Sequence, residues 1–112
     1  MASVHSAEEN QFIAIISGPN TWLGGSDAAA EGEWSWSDGS SFDWTPSNWG
    51  APNPEPNGGT SENCLITVGS GQDWNDGTCN NGWWAAKFVC KKSCDQILLY
   101  NIRIELAILC KA

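Results

Sequence analysis

Basic residues are scarce in this chain of 112 residues. Five lysines and arginines stand against thirteen aspartates and glutamates, which gives a net charge of -8. A chain with this balance repels nucleic acid and anionic membranes, whereas it attracts cations. The composition therefore argues against nucleic acid and membranes as partners and favours a cation.

Histidine is scarcer still, because His5 is the only one. We expect no nucleophile–histidine–acid set to be built from it alone, and zinc would need thiolate or imidazole ligands at short spacing. A glycosidase pair made of Glu55 and Glu62 would need one carboxyl in an apolar setting, but both lie among amides in a polar loop. The sequence therefore predicts that the protein is not an enzyme and not a zinc protein.

Long apolar runs are missing as well. Met1 is followed by the polar stretch "ASVHSAEEN", and the apolar stretch "ILLYNIRIELAIL" is too short to span a bilayer and contains Arg103 and Glu105. Five cysteines in so short a chain are nevertheless typical of a secreted, oxidised protein, and an odd count leaves one of them unpaired or paired elsewhere. We therefore expect a secreted, extracellular protein whose N-terminal part is absent from this sequence.

The length fits one domain with a modest core. Eight tryptophans can serve as large core residues or as flat platforms for sugars, and the core role is the commoner. The stretch "SAEENQFIAII" (6–16) predicts a helix with an N-cap, a capping box and an apolar face. The cap is Ser6, the capping box is completed by Glu9, and the apolar face comprises Phe12, Ile13 and Ile16.

Short strand-like stretches alternate with polar ones along the rest of the chain. Residues 33–39 alternate Trp34 and Trp36 with serines and end on Asp-Gly, which is typical of a strand before a turn. The polar stretches show neither helical nor strand periodicity, and long loops in compact domains are usually functional or disordered. The predicted strands are 21–25, 33–39, 64–68 and 86–90, and the predicted loops are 40–61 and 69–82.

Oxygen donors are concentrated on the two loops that flank Cys64 and Cys79. Calcium takes roughly six to eight oxygen ligands from carboxylates, amides and carbonyls, with tolerant geometry. Three carboxylates outweigh the charge of one divalent cation, and two amides add ligands without further repulsion. The alternative is a set of solvated loop residues, which composition alone would favour. The candidate calcium ligands are Glu55, Asn57, Glu62, Asn75 and Asp76.

The order of the motifs resembles the C-type lectin-like domain from Ala2 to Lys91, most of all its fish members. "WLGG", "EGEWSWSDGS" and "NW" follow the family's order, as do "EPN" (55–57), "ENC" (62–64), "WND" (74–76) and "FVC" (88–90). Any one of these motifs would be weak, but so many in one order are specific. The resemblance implies an α+β fold with small antiparallel sheets, a helix and long irregular calcium-binding loops.

The resemblance also assigns roles to the oxygen donors. It implies that the five candidate residues bind one Ca²⁺, that a cis peptide precedes Pro56, and that Cys64 pairs with Cys79. Asp27 and Glu31 stand where the family keeps an auxiliary calcium site, although a solvated turn would also explain acidic residues there. The bridge would close a loop of about fifteen residues and contribute roughly 3 kcal/mol by restricting the unfolded chain.

The same resemblance implies a sugar ligand. Glu-Pro-Asn is the order that the family links to glycans bearing mannose, fucose or N-acetylglucosamine, whereas Gln-Pro-Asp goes with galactose. Neighbouring sugar hydroxyls would bind the ion while accepting from Asn amides and donating to Glu carboxylates. One such site binds in the millimolar range, about -4 kcal/mol, so a homo-oligomer would supply the avidity.

Two other functions fit the same sequence. Some fish antifreeze proteins share this domain and its calcium loop, and a flat surface near Thr60 and Thr78 would suit binding to ice. The chain also lacks the family's first strand, its first helix and the usual cysteine partner of Cys90, so a non-functional fragment is the third alternative.

The chain divides into two parts, residues 1–92 as the lectin-like domain and residues 93–112 as an appended apolar tail. Residues 102–108 alternate apolar and other side chains, which predicts a strand beside "FVC", and a disordered or artefactual tail is the alternative. If the tail pairs there, Cys90 could bond with Cys110 or, over a tight four-residue link, with Cys94.

Overall fold

A computed structural model describes residues 1–47, 49, 55–80, 87–94 and 104–110, the last range and residues 92–94 as backbone only. One helix, one short 3-10 helix and six strands form the described part of the chain. In chain order they are α1 (Ala7–Ser17), β1 (Thr21–Ser26), β2 (Ser35–Trp36), the 3-10 helix (Gly59–Ser61), β3 (Cys64–Val68), β4 (Asp73–Gly77), β5 (Lys87–Cys94) and β6 (Ile104–Cys110).

The six strands make one sheet in the order β4-β3-β1-β5-β6, with β2 paired to β1. β1 and β5 run parallel, and the other strand pairs are antiparallel. The predicted α+β class, with a helix and mainly antiparallel strand pairing, is confirmed, and the strands join in one sheet in which only the β1–β5 pair is parallel among the described residues. A single mixed sheet forms because β1 has β3 on one side and β5 on the other.

The N-terminal residues extend this arrangement between β1 and β5. The Ala2 amide donates to the Val89 carbonyl at 2.7 Å, and the Gly24 amide donates to the Ala2 carbonyl at 2.8 Å. Ala2 and Val4 are fully buried and belong to the core. The segment before the helix therefore contributes to the sheet and is more than a lead-in to the helix.

The helix follows its predicted boundaries closely, but its buried face is different. Ser6 caps it by accepting from the Glu9 amide at 3.1 Å. The Glu9 side chain accepts from the backbone amide of His5 at 3.2 Å, whereas in a standard capping box it would accept from the amide of the N-cap residue, Ser6. The residues that face the core are Asn10, Ile13 and Ser17, whereas Phe12 is 46% exposed, which makes the predicted apolar face wrong at that position.

The core is mainly aromatic. Trp74 is fully buried, and its ring makes edge-to-face contacts with Trp36, Trp44 and Trp49 at centroid distances of 5.7, 5.6 and 6.0 Å. Such pairs contribute beyond the area they bury. The tryptophans at these positions are therefore core residues, which is the commoner of the two roles that the sequence allows.

Four predicted elements differ clearly in extent. The strand predicted over 86–90 continues to Cys94 as β5. The strand predicted over 33–39 is only Ser35–Trp36, because β2 forms just two residue pairs with β1. The loop predicted over 69–82 contains β4, whose residues pair with every residue of β3. The predicted loop 40–61 includes the 3-10 helix and a bridge between Trp49 and Glu55. Residues 48, 50–54, 81–86, 95–103 and 111–112 lie outside the described part of the chain.

The tail does form a strand next to "FVC". β6 pairs antiparallel with β5, with Cys90 opposite Ile108 and Phe88 opposite Cys110. The prediction of a strand at this position is confirmed for residues 104–108, and β6 continues to Cys110. Cys90 is disulfide-bonded, and its two predicted partners lie outside the described side chains.

Candidate functional site

All five predicted calcium ligands line one cavity of about 150 Å³. Gly77 completes its lining. Three separate segments supply the side chains, which are the loop around Pro56, the residue after the 3-10 helix, and β4. The cavity is bordered by Glu55, Asn57, Glu62, Asn75 and Asp76.

Pairing of β4 with β3 fixes two of these residues. Asn75 lies opposite Ile66 and Asp76 lies opposite Leu65 in an antiparallel ladder. Trp74, the residue before them, is anchored in the core. The disulfide between Cys64 and Cys79 ties the start of β3 to the segment after β4, as the resemblance implied. The strand pair therefore gives Asn75 and Asp76 a rigid support.

Asp76 links β4 to the loop that carries Glu55 and Asn57. Its Oδ1 accepts from the backbone amide of Asn57 at 3.0 Å, and its Oδ2 accepts from that of Gly58 at 2.7 Å. The Asn57 side-chain amide donates to Oε1 of Glu55 at 2.8 Å. The peptide bond between Glu55 and Pro56 is cis, as predicted.

Negative charge accumulates at this cavity. Burial raises the pKa of Glu55 to about 7, and a hydrogen bond with Asp76 and the charges of Asp76 and Glu62 act in the same direction. The hydrogen bond from Asn57 opposes this shift only in part. A divalent cation would offset this repulsion, so the donor set fits Ca²⁺, whose ligands are oxygens.

Among the described residues, carboxylate and imidazole side chains alone do not form a metal site at this cavity. No three His, Cys, Asp or Glu side chains of the described residues come together closely enough to hold an ion. Two of the five donors are amides, and both oxygens of Asp76 accept from backbone amides. The fit to calcium therefore depends on the Asn side chains as well as on the acids.

Asp27 and Glu31 come together beside this site. Asp27 is 3% exposed, its Oδ2 accepts from the Gly32 amide at 3.0 Å, and its Oδ1 is buried without a partner. Burial raises the pKa of Glu31, as do the charges of Asp27 and Asp76 and a hydrogen bond with Asp27. A buried oxygen without a partner is costly, and a cation bound there would remove that cost.

Residues 1–92 match the Lectin C-type domain family. The chain belongs to this family. Galactose-specific lectin nattectin from Thalassophryne nattereri is 36% identical over 99 residues, which cover 83% of this chain and 58% of that protein. The lectins of this family bind carbohydrate and are not enzymes, which confirms the exclusion of catalysis.

Two solved structures share the fold of this C-type lectin domain. A calcium-independent type II antifreeze protein has a TM-score of 0.62 and 36% identity, with 70% of this chain and 58% of that chain covered. The cow carbohydrate-recognition domain of CD23, in the presence of a GlcNAc2Man3 oligosaccharide, has a TM-score of 0.60 and 38% identity, with 70% and 59% covered.

The chain spans between 24% and 58% of the length of three curated relatives that it matches. Within the residues that the structure describes, no helix has the length and apolar character needed to cross a membrane.

His5 lies in a polar cluster that contains serine and aspartate side chains, but the cluster does not form a catalytic set. Nδ1 of His5 lies 2.7 Å from Oδ1 of Asp43, and its Nε2 lies 3.1 Å from Oγ of Ser3. Ser3 is buried, however, and its Oγ donates to Asp38 at 2.5 Å. The Ser3 hydroxyl is therefore out of reach of a substrate. Oγ of Ser40 also lies 3.0 Å from Nε2 of His5, but it too donates its hydrogen to Asp38, so neither hydroxyl is free to give its proton to His5 and the cluster has a structural role.

Gly58 is a site residue that the sequence reasoning missed. A Cβ added there would lie 2.4 Å from both Cβ and Cγ of Glu62 and 2.2 Å from its Oε2. Real Cβ atoms do not approach so closely, so any larger residue would displace Glu62 or the loop. The Gly-Gly pair at 58–59 was the available signal, but only the packing shows which side chain depends on it.

Proposed function

We propose that this C-type lectin domain binds carbohydrate through Ca²⁺, with a preference for glycans that bear mannose, fucose or N-acetylglucosamine. The observation that carries the proposal is the common cavity of the five oxygen-donor residues. The raised pKa of Glu55 supports it, because burial, a hydrogen bond with Asp76 and the charges of Asp76 and Glu62 all disfavour the ionised carboxylate, which a bound cation would stabilise.

In this function, Glu55, Asn57, Glu62, Asn75 and Asp76 hold the ion. When bound, Ca²⁺ would supply open coordination positions for two neighbouring sugar hydroxyls. The amides of Asn57 and Asn75 donate hydrogen bonds to those hydroxyls, and the carboxylates of Glu55 and Glu62 accept from them. The alternation of donors and acceptors is what would select the orientation of the hydroxyl pair.

A thermal-shift measurement tests calcium binding. Calcium should raise the melting temperature, with an affinity of roughly 0.1–1 mM as in other extracellular sites. Asn75→Ala together with Asp76→Ala should abolish that rise. A matched control is Asp73→Ala, which removes a carboxylate from the same strand outside the cavity. An unchanged calcium response in the double variant would place the ion elsewhere.

The auxiliary site needs a separate variant. We propose that Asp27 and Glu31 bind a second Ca²⁺, supported by the buried Asp27 oxygen that lacks a partner. Asp27→Asn with Glu31→Gln should then lower the number of ions bound, measured by calorimetry, from two to one. A stoichiometry that stays the same would assign these residues to the turn alone.

Sugar preference is tested by affinity chromatography. The protein should be retained on immobilised mannose in calcium, be released by a chelator, and resist elution by free galactose. Glu55→Gln with Asn57→Asp should shift retention toward galactose. Nattectin is named as galactose-specific. Stronger retention of the unmodified chain on galactose would contradict the assignment from Glu-Pro-Asn.

Ice binding is the second candidate function. The structural similarity to a calcium-independent type II antifreeze protein favours it, and Thr60 and Thr78 are exposed. Thermal hysteresis measured with and without calcium separates the two functions. Hysteresis without sugar retention would establish the antifreeze function, and the absence of both in a folded chain would establish a non-functional fragment.

We also propose that the protein acts outside the cell as a homo-oligomer, since one site of millimolar affinity gains useful avidity only when several are presented together. The disulfides at Cys64–Cys79 and at Cys90 support an oxidising compartment. Sedimentation of the secreted protein tests this proposal, and a monomer at all concentrations would contradict it.

A further inference from the structure

Asn57 is followed directly by Gly58, and this dipeptide lies inside the candidate site. Asn57 is exposed to water. An asparagine side chain before glycine is open to attack by the next backbone nitrogen, since glycine has no Cβ to obstruct the approach. The contact with Glu62 requires glycine at this position. The packing of the site therefore requires glycine after Asn57, which makes this proposed ligand part of a chemically reactive Asn-Gly dipeptide.

The chemistry of such a dipeptide is deamidation. The Gly58 nitrogen forms a bond to Cγ of Asn57 and loses its proton, while the Cγ–Nδ2 bond breaks and ammonia leaves with that proton. Water then opens the resulting succinimide ring at either carbonyl. Residue 57 becomes aspartate or isoaspartate, and water is the only other reactant.

Both reacting groups are held by hydrogen bonds in the structure. The Gly58 N–H donates to Oδ2 of Asp76 at 2.7 Å, and the Asn57 side-chain amide donates to Glu55 at 2.8 Å. Asp76 is only 6% exposed, so water competes poorly for its oxygens. A charge-assisted hydrogen bond must therefore break before the nitrogen can turn toward Asn57 and lose its proton.

We propose that Asn57–Gly58 is a deamidation site that the Asp76 carboxylate keeps closed, and that Asn57 becomes aspartate or isoaspartate when the Asp76 hydrogen bonds open. The product would place a fourth carboxylate in the cavity and remove an amide donor. This consequence for sugar binding rests on the proposed function, whereas the deamidation itself does not.

Peptide mapping by mass spectrometry measures the modification at residue 57 over time at neutral pH. The chain offers an internal reference, because Asn81–Gly82 is the same dipeptide. In denaturant the two sites should react at similar rates. In the native chain Asn57 should react at least about tenfold more slowly than in denaturant, as expected when a hydrogen bond to a charged group has to break.

Asp76→Ala tests the role of the carboxylate. The rate at Asn57 should rise about tenfold or more in the native chain while the rate at Asn81 stays the same. Asp73→Ala, on the same strand, should leave both rates unchanged. If Asp76→Ala unfolds, both sites will react at their denatured rates. The test then uses Asp76→Asn, which conserves the shape of the side chain. The proposal expects deamidation in this variant to be faster at Asn57 and unchanged at Asn81.

Two results would overturn the proposal. One is a native rate at Asn57 equal to its denatured rate, and the other is a rate at Asn57 that does not respond to either Asp76 variant. Retention of Asn57→Asp on mannose is measured separately. If the unmodified chain is not retained either, the proposed function fails while the deamidation result stands.

Discussion

A buried hydrogen bond between Trp74 and Asn10 connects helix α1 to the strand that carries Asn75 and Asp76. Nε1 of Trp74 donates to Oδ1 of Asn10 at 3.0 Å, and both side chains are almost completely buried. We predict that Trp74→Phe destabilises the fold and, because β4 positions two proposed ligands, also weakens the response to calcium.

The size of the effect follows from two losses. Phenylalanine leaves Oδ1 of Asn10 buried without its donor, which costs about 1–3 kcal/mol. The missing part of the indole also leaves a void among aromatic neighbours, and removing a whole tryptophan or phenylalanine side chain to alanine costs about 3–5 kcal/mol. A loss of about 3 kcal/mol is therefore expected, a large share of the roughly 5–15 kcal/mol that domains possess.

Urea unfolding followed by far-ultraviolet circular dichroism measures this loss. A double-mutant cycle with Asn10→Ala isolates the hydrogen bond, because the separate contact of the Asn10 amide with the Gln72 carbonyl at 2.8 Å cancels within the cycle. The two changes should be non-additive by about 1 kcal/mol or more. Phe12→Ala, on the exposed face of the same helix, should change stability by less than about 0.5 kcal/mol. Additivity within about 0.5 kcal/mol would refute the coupling.

Three further predictions concern charge, packing and cross-linking. Burial works against ionisation of Asp38, but hydrogen bonds from two serines outweigh it and lower its pKa from 3.8 to about 2. The ionised Asp38 therefore stabilises the fold above pH 3.8, and this contribution is lost as the pH falls through about 2. The free energy of unfolding should decrease less over this pH range in Asp38→Asn than in the unmodified chain. Equal decreases would contradict this prediction. Gly58→Ala should abolish the calcium-induced rise in melting temperature while the unfolding transition without calcium persists, because the new Cβ collides with Glu62; an intact calcium response would be inconsistent with that contact. Replacing Cys64 and Cys79 by serine should lower the free energy of unfolding by roughly 3 kcal/mol in urea titrations, and a change below about 1 kcal/mol would show that the bridge adds little.

Much of the local structure could be predicted because its causes are local. Ser6 accepts from the Glu9 amide three residues ahead, so the start of α1 is set within one turn. β3 occupies residues 64–68, where the apolar run ends at glycine. These elements depend on spacing along the chain, and spacing is visible in the sequence.

Other elements depended on distant partners and were missed. The polar sequence of β4 predicts a loop. This segment is nevertheless a strand, because all five of its residues pair with β3. Asn10 takes a core position that an apolar residue would be expected to fill, because Trp74 and the Gln72 carbonyl satisfy its polar atoms. Phe12 lies on the exposed face of the helix. Neither partner can be identified from helical periodicity.

The sequence by itself determined the chemistry available to this protein, since the order of its motifs indicated the family, the oxygen donors and the absence of catalysis. The tertiary structure decided how those donors are used. In the folded chain, three segments line one cavity, and both side-chain oxygens of Asp76 accept hydrogen bonds from backbone amides. The close contact with Glu62 requires glycine at position 58. Residue types depend on the chain alone, whereas hydrogen-bond partners and close contacts depend on which distant segments the sheet and the core bring together.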